Sequence, residues 1–152
     1  MAPKIYVSGA LMAAANLDEA RSKYEECASV LRNAGYAPYL PHRSTDPELM
    51  AEIAGVDVFD RDAKELMTSD AVVAFLDEPS LGVGAELAMC VAQGIPVVAL
   101  MRPEARVSRF VFGMLESSDA VMVVTYRDMA ELRDIVAARV ADVLDTGAIA
   151  RV

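Results

Sequence analysis

The sequence predicts a single doubly wound α/β domain, Rossmann- or flavodoxin-like, spanning residues 1–152 and built on a five-stranded parallel sheet. Three observations predict it. Short apolar runs alternate with longer segments whose apolar residues recur every three or four positions. The middle runs, Ala71–Leu76 (AVVAFL) and Pro96–Leu100 (PVVAL), are aliphatic throughout, as strands covered on both faces must be. Gly35 and Gly94 stand where two helical patterns stop.

The elements follow in order. Lys4–Ser8 (KIYVS) reads as the first strand, ended by Gly9. Leu17–Ala34 places Leu17, Ala20, Tyr24, Cys27 and Leu31 at helical spacing. Ala37–Leu40 is a brief second strand broken by Pro41, and His42–Pro47 (HRSTDP) reads as a polar loop. A helical region comes next, with Asp57–Ser69 its best-defined part, and Ala71–Leu76 is the third strand. A helix from about Ala85 to Gln93 leads to the fourth strand, Pro96–Leu100. Ser108–Ser118 is helical, Ala120–Thr125 (AVMVVT) is the fifth strand, and Asp128–Leu144 closes the chain as a helix. Right-handed crossovers restrict the strand order without fixing it.

Composition excludes several classes of function. Hydrophobic residues make up 55% of the chain and mean hydropathy is +0.30, yet no stretch approaches the ~20 apolar residues of a membrane span. Residues 1–9 lack a charged start followed by a long apolar core, so a cytoplasmic protein without signal peptide or membrane partner is expected. A net charge of −9 leaves no basic stripe for nucleic acid. Cys27 and Cys90 lie in apolar helical patterns and read as buried reduced thiols. There is no CxxC, and His42 is the only histidine, so neither a metal site nor a cofactor is expected.

In doubly wound folds ligands lie beyond the carboxyl ends of the strands. That directs attention to Ser8–Met12, Pro41–Asp46, Asp77–Glu86, Met101–Ser108 and Tyr126. No dinucleotide fingerprint is present: SGALMA follows the first strand with one glycine, and GVGAEL lacks the third. A Walker loop is absent too. What remains is Glu86. If Gly82, Val83 and Gly84 form a tight turn, Glu86 sits in the first turn of a helix, where the dipole and nearby amides favour its ionised form. An ionised carboxylate suits a nucleophile, although a first-turn glutamate also simply stabilises a helix by ~0.3–1 kcal/mol. The glycines would let a ligand approach the backbone beside it.

From Lys4 to about Tyr126 the chain resembles the nucleoside 2-deoxyribosyltransferase family, particularly its 2'-deoxynucleoside 5'-phosphate N-hydrolase branch. KIYVSGAL, FDRDAKEL and DAVVAFLDEPSLGVGAELA carry the resemblance. It implies that Glu86 attacks the anomeric carbon, that Asp62 engages the sugar hydroxyls and assists proton transfer, and that the Tyr6 hydroxyl orients the nucleophile. Taken singly, Asp62 also reads as a surface acid and Tyr6 as a core tyrosine. Ser8, Gly9, Gly82 and Gly84 are expected against the substrate. Ser80 stands where transferases usually carry a base-reading aspartate, and Ser80 with Ser108 matches the serines that bind a 5'-phosphate, the second coming from a neighbouring subunit. Each serine also reads as a cap or turn residue. Where the branch has a serine and an arginine after the first strand, this chain has Ala10 and Met12, which removes a charge-assisted contact of ~1.5–3 kcal/mol. Arg43 is a candidate substitute, since related pyrimidine-nucleotide hydrolases carry a similar HR after strand two; alone it reads as a loop arginine. His42 is expected in a surface or locally hydrogen-bonded role.

The resemblance thus implies cleavage of the N-glycosidic bond of a (2'-deoxy)nucleoside 5'-monophosphate, through a covalent intermediate on Glu86, in a homodimer or higher homo-oligomer. Base exchange between deoxynucleosides is the alternative enzyme, and a non-catalytic nucleotide sensor the alternative of another class.

Overall fold

A computed structural model describes residues 1–150, with side chains through Thr146. Five strands, β1 (Lys4–Ser8), β2 (Ala37–Tyr39), β3 (Ala71–Phe75), β4 (Val97–Met101) and β5 (Val121–Thr125), pair in parallel in the order β2-β1-β3-β4-β5. The helices are α1 (Leu17–Asn33), α2 (His42–Thr45), α3 (Gly55–Met67), α4 (Leu81–Gln93), α5 (Arg109–Glu116) and α6 (Met129–Ala150). This is the flavodoxin-like order, and the direction of winding reverses between β1 and β3. A crevice at the carboxyl ends of those two strands follows from that reversal.

The two-residue period of the strands divides the core. Ile5, Val7, Val73 and Phe75 face α1 and α6, packing on Tyr24, Leu31 and Leu132. Tyr6, Val72 and Ala74 face α3 and α4, against Leu66, Leu87 and Cys90. β3 and β4 are almost wholly buried, which accounts for their unbroken aliphatic sequences. No helix among the described residues is long and apolar enough to cross a membrane.

Four expectations about elements need correction. His42–Thr45 is a short helix rather than a loop: Pro41 opens it, with Ser44 and Thr45 amides donating to the Pro41 carbonyl. α3 starts at Gly55 and stops at Met67. α6 continues beyond Leu144 to Ala150. Most consequential, α4 starts at Leu81, so Gly82, Val83 and Gly84 are helical and make no tight turn. Among described residues, positive φ is confined to Gly35 and Gly94, and Gly94 ends α4 in the left-handed conformation that favours glycine.

Candidate active site

Glu86 lies in the second turn of α4, past the first turn in which a helix dipole acts strongly. Its partners come from β1 instead. Tyr6 and Ser8 are fully buried and, two residues apart on one strand, point to the same face. The Tyr6 hydroxyl donates to Glu86 Oε1 at 2.6 Å, and the Ser8 hydroxyl donates to Oε2. Burial lifts the Glu86 carboxyl above its ordinary range; the Ser8 and Tyr6 hydroxyls oppose that shift, while the negative charge of Asp62 adds to it. The expectation of a pKa depressed by the helix terminus is therefore overturned. Desolvation in the crevice outweighs the donors. Burial and Glu86 push the Tyr6 phenol far up, so it remains a donor.

Asp62 projects from α3 towards the same crevice. Tyr39 donates to its Oδ1 at 3.1 Å and Thr45 to its Oδ2 at 2.9 Å. Burial raises its pKa, with both hydroxyls and Arg61 opposing and Glu65 reinforcing. Sequence reasoning missed Tyr39 and Thr45. The one available signal was position, since Tyr39 ends the second strand and Thr45 lies in the segment beyond a strand end.

Glu86 and Asp62 line one cavity of about 630 Å³, within the range of small-molecule sites. Gly9, Met12, Thr45 and Phe59 contribute to its wall, and among the described residues no lysine, arginine or histidine does. A second cavity of about 480 Å³ adjoins it and shares Ser80 and Val83 with it. Arg106 and Ser108 line this second space. Gly82 borders the first cavity and Gly84 the second, so the bare helix backbone faces both. A Cβ on Gly84 would meet nothing within 4 Å, so the glycine is not required by packing there.

The remaining candidates divide. Ser80 caps α4, accepting the Val83 amide at 3.3 Å, and Ser108 opens α5 with no side-chain cap bond. Gly9 lies beneath the Tyr24 ring, where a Cβ would come within 2.2 Å of the ring carbon Cζ, so close packing alone demands glycine. Arg43 is drawn away: its guanidinium grips Glu25 of α1, and it lines neither cavity. His42 is buried and bonded to Glu25 at 2.9 Å. Among the described residues, no group of three or more His, Cys, Asp or Glu side chains is placed to hold a metal ion.

The family model for nucleoside 2-deoxyribosyltransferase matches residues 5–123, a span containing Tyr6, Asp62 and Glu86. The chain belongs to the nucleoside 2-deoxyribosyltransferase family. A protein of Methanosarcina barkeri named "Putative 2'-deoxynucleoside 5'-phosphate N-hydrolase 1" is 33% identical over 137 residues, covering 88% of this chain and 82% of that one. The 5-hydroxymethyl-dUMP N-hydrolase of Mus musculus is 41% identical over 91 residues, covering 57% of this chain and 51% of its own. A CMP N-glycosidase from Clostridium botulinum superposes with a TM-score of 0.68 at 16% identity, covering 88% and 96% of the two chains. At that identity the superposition speaks for the fold alone. The family and its named members make this chain an enzyme of the N-glycosidase or nucleoside deoxyribosyltransferase type.

Proposed function

We propose that this family member hydrolyses the N-glycosidic bond of a 2'-deoxynucleoside 5'-monophosphate, with Glu86 as nucleophile. One observation carries the proposal: two carboxylates with raised pKa, each held by hydroxyl donors, share a nucleoside-sized cavity. A Glu86 oxygen attacks C1' of the sugar as the bond from C1' to the base nitrogen breaks. The electron pair of that bond leaves with the base, which takes the proton of Asp62. Water then attacks C1' of the glycosyl ester, gives its proton to Asp62, and releases the sugar phosphate and the Glu86 carboxylate. This is the retaining-glycosidase plan. Tyr6 and Ser8 hold the nucleophile in place and moderate the burial that opposes its ionisation.

The phosphate is assigned to the adjoining cavity. Ser80 lies at the junction, Ser108 and Arg106 beyond it, and the start of α4 presents amides with no partner four residues back. Arg106 supplies the cation that Met12 and Arg43 do not. The names of the Methanosarcina and mouse proteins, both nucleotide N-hydrolases, support a nucleotide over a nucleoside. One feature favours base exchange as a second reading: among the described residues, no cationic side chain lines the cavity that holds the carboxylates. The same proposal takes residues 1–152 as one catalytic domain, acting in the cytoplasm. It takes the exposed Leu81 and Phe110 beside the phosphate cavity as the contact of a homodimer or higher homo-oligomer.

The test is base release from nucleosides and monophosphates, with and without the 2'-hydroxyl, by wild type and Glu86→Ala. The proposal expects release from deoxynucleoside monophosphates by wild type alone. Equal release by both proteins would remove Glu86 from the reaction, and a new nucleoside formed on adding a second base would establish transfer. Arg106→Ala is expected to raise KM for the monophosphate about tenfold, with no change for the nucleoside.

A further inference from the structure

Tyr39 and Thr45 have no part in the bond-breaking steps above, yet both hydroxyls end on Asp62. The sheet explains how one of them arrives there. β1 and β2 pair in register at Tyr6 and Tyr39. Their rings stack with centroids 5.5 Å apart and planes inclined by 28°. The two hydroxyls then diverge, Tyr6 to Glu86 at 2.6 Å and Tyr39 to Asp62 at 3.1 Å. Each carboxylate receives one tyrosine and one aliphatic hydroxyl, and the stacked rings tie the two halves together.

We propose that Tyr39 is a positioning residue for Asp62: braced on the Tyr6 ring and bonded to Oδ1, it aims the carboxyl into the cavity. The inference rests on the reading of Asp62 as the group that carries the proton. Asp62 faces Arg61 and Glu65 of its own helix, Tyr6 from β1, Tyr39 from β2, Thr45 from α2 and Glu86 from α4. Of these, Tyr39 and Thr45 bond to it directly and favour its ionised form against the effect of burial. The Tyr39 phenol is itself pushed up to about 12 by burial and by Asp62, so it stays a donor wherever a carboxylate titrates. Losing that hydroxyl leaves Asp62 with Thr45 as its remaining hydrogen-bond donor, and Asp62 keeps its proton to higher pH.

Tyr39→Phe tests this, because it retains the stacked ring and removes only the hydroxyl. Carboxylate carbon NMR follows Asp62 and Glu86 through a pH titration, and base release from a deoxynucleoside monophosphate is measured over the same range. The Asp62 step should move to higher pH in Tyr39→Phe, and the alkaline limb of kcat should move with it. The kcat value should fall about tenfold while KM stays within about twofold. Thr45→Val should move Asp62 in the same direction, whereas Tyr6→Phe should act mainly on Glu86. The charge of Asp62 acts on Glu86, so the contrast between variants assigns the steps. An Asp62 titration and a kcat limb that both stay in place in Tyr39→Phe overturn the proposal, even if kcat or Tm falls, because Tyr39 would then be packing alone. Absence of base release from wild type would sink the catalytic reading, while the NMR titration would still decide whether Tyr39 governs Asp62.

Discussion

The carboxylates beside α1 and those beside α4 are held by partners of different kinds. Asp46 is fully buried and receives Arg21 through Nε and Nη2, both at 2.7 Å, together with the amides of Glu48 and Leu49. Arg21 holds its carboxyl far below the usual range. Glu25 is brought down to about 2, chiefly by Arg43 and also by His42. Among the described residues, Glu86 and Asp62 receive hydroxyls and no cation bonds to either, and both are shifted upward. An acid matched to a cation is content as an anion and contributes to the fold. Buried without one, it is left poised to gain or lose a proton, which is a reactive condition.

Removing the poised acids should therefore cut activity sharply without harming the fold. Glu86→Gln is expected to lower base release by about 10³-fold or more, since it removes the proposed nucleophile. Asp62→Asn is expected to cost about 10²-fold, the usual scale for the acid–base role proposed for it. In both variants Tm should be equal to or above that of wild type, because a half-buried charge without a cation is lost. A marked fall in Tm for either would place that carboxylate in the structural class.

Asp46→Asn should show the reverse. It takes from Arg21 its buried partner, leaving only the exposed Asp18 and Glu48, and Tm should drop by about 5–10 °C. At temperatures where the variant is folded, kcat should remain within about twofold of wild type. Loss of kcat without loss of Tm would make the Arg21–Asp46 pair part of the site.

Much of this was legible from the sequence, and the gaps have physical causes. β3 and β4 were visible because burial on both faces forces unbroken aliphatic runs. Tyr6, Asp62 and Glu86 were legible through their motifs, and the structure brings Tyr6 and Glu86 into contact and places Asp62 across the same cavity. The start of α4 was hidden because two glycines resemble a turn, whereas Ser80 caps the helix four residues before Gly84. The sign of the Glu86 shift could not be read, since it depends on how β1, α3 and α4 together exclude water. Tyr39 and Thr45 lie 23 and 17 residues from Asp62, and no local pattern announces such pairs. Arg43 looked free because its partner, Glu25, lies 18 residues back on α1.

The smallest effect gives the sharpest comparison, because the two groups of acids should respond to pH with opposite signs. Glu25 titrates near 2 in the folded chain and at 4.5 ordinarily, so its stabilisation is complete above about 4.5 and disappears as pH falls towards 2. Asp46 behaves likewise, with its loss ending at lower pH. The pKa values of Glu86 and Asp62 are raised, so their neutral forms suit the fold. Their contribution is favourable below the ordinary carboxylate range, near pH ~4, and is lost as pH rises through the folded values. Thermal unfolding between about pH 3 and 8 measures both trends. The double variant Glu86→Gln/Asp62→Asn should match wild type at the acid end and gain on it by about 1–3 °C as pH rises. Glu25→Gln should lie below wild type at neutral pH and converge on it as pH falls. If the double variant instead lost ground with rising pH, the site carboxylates would be stabilised as anions, and the distinction between the two groups of acids would fail.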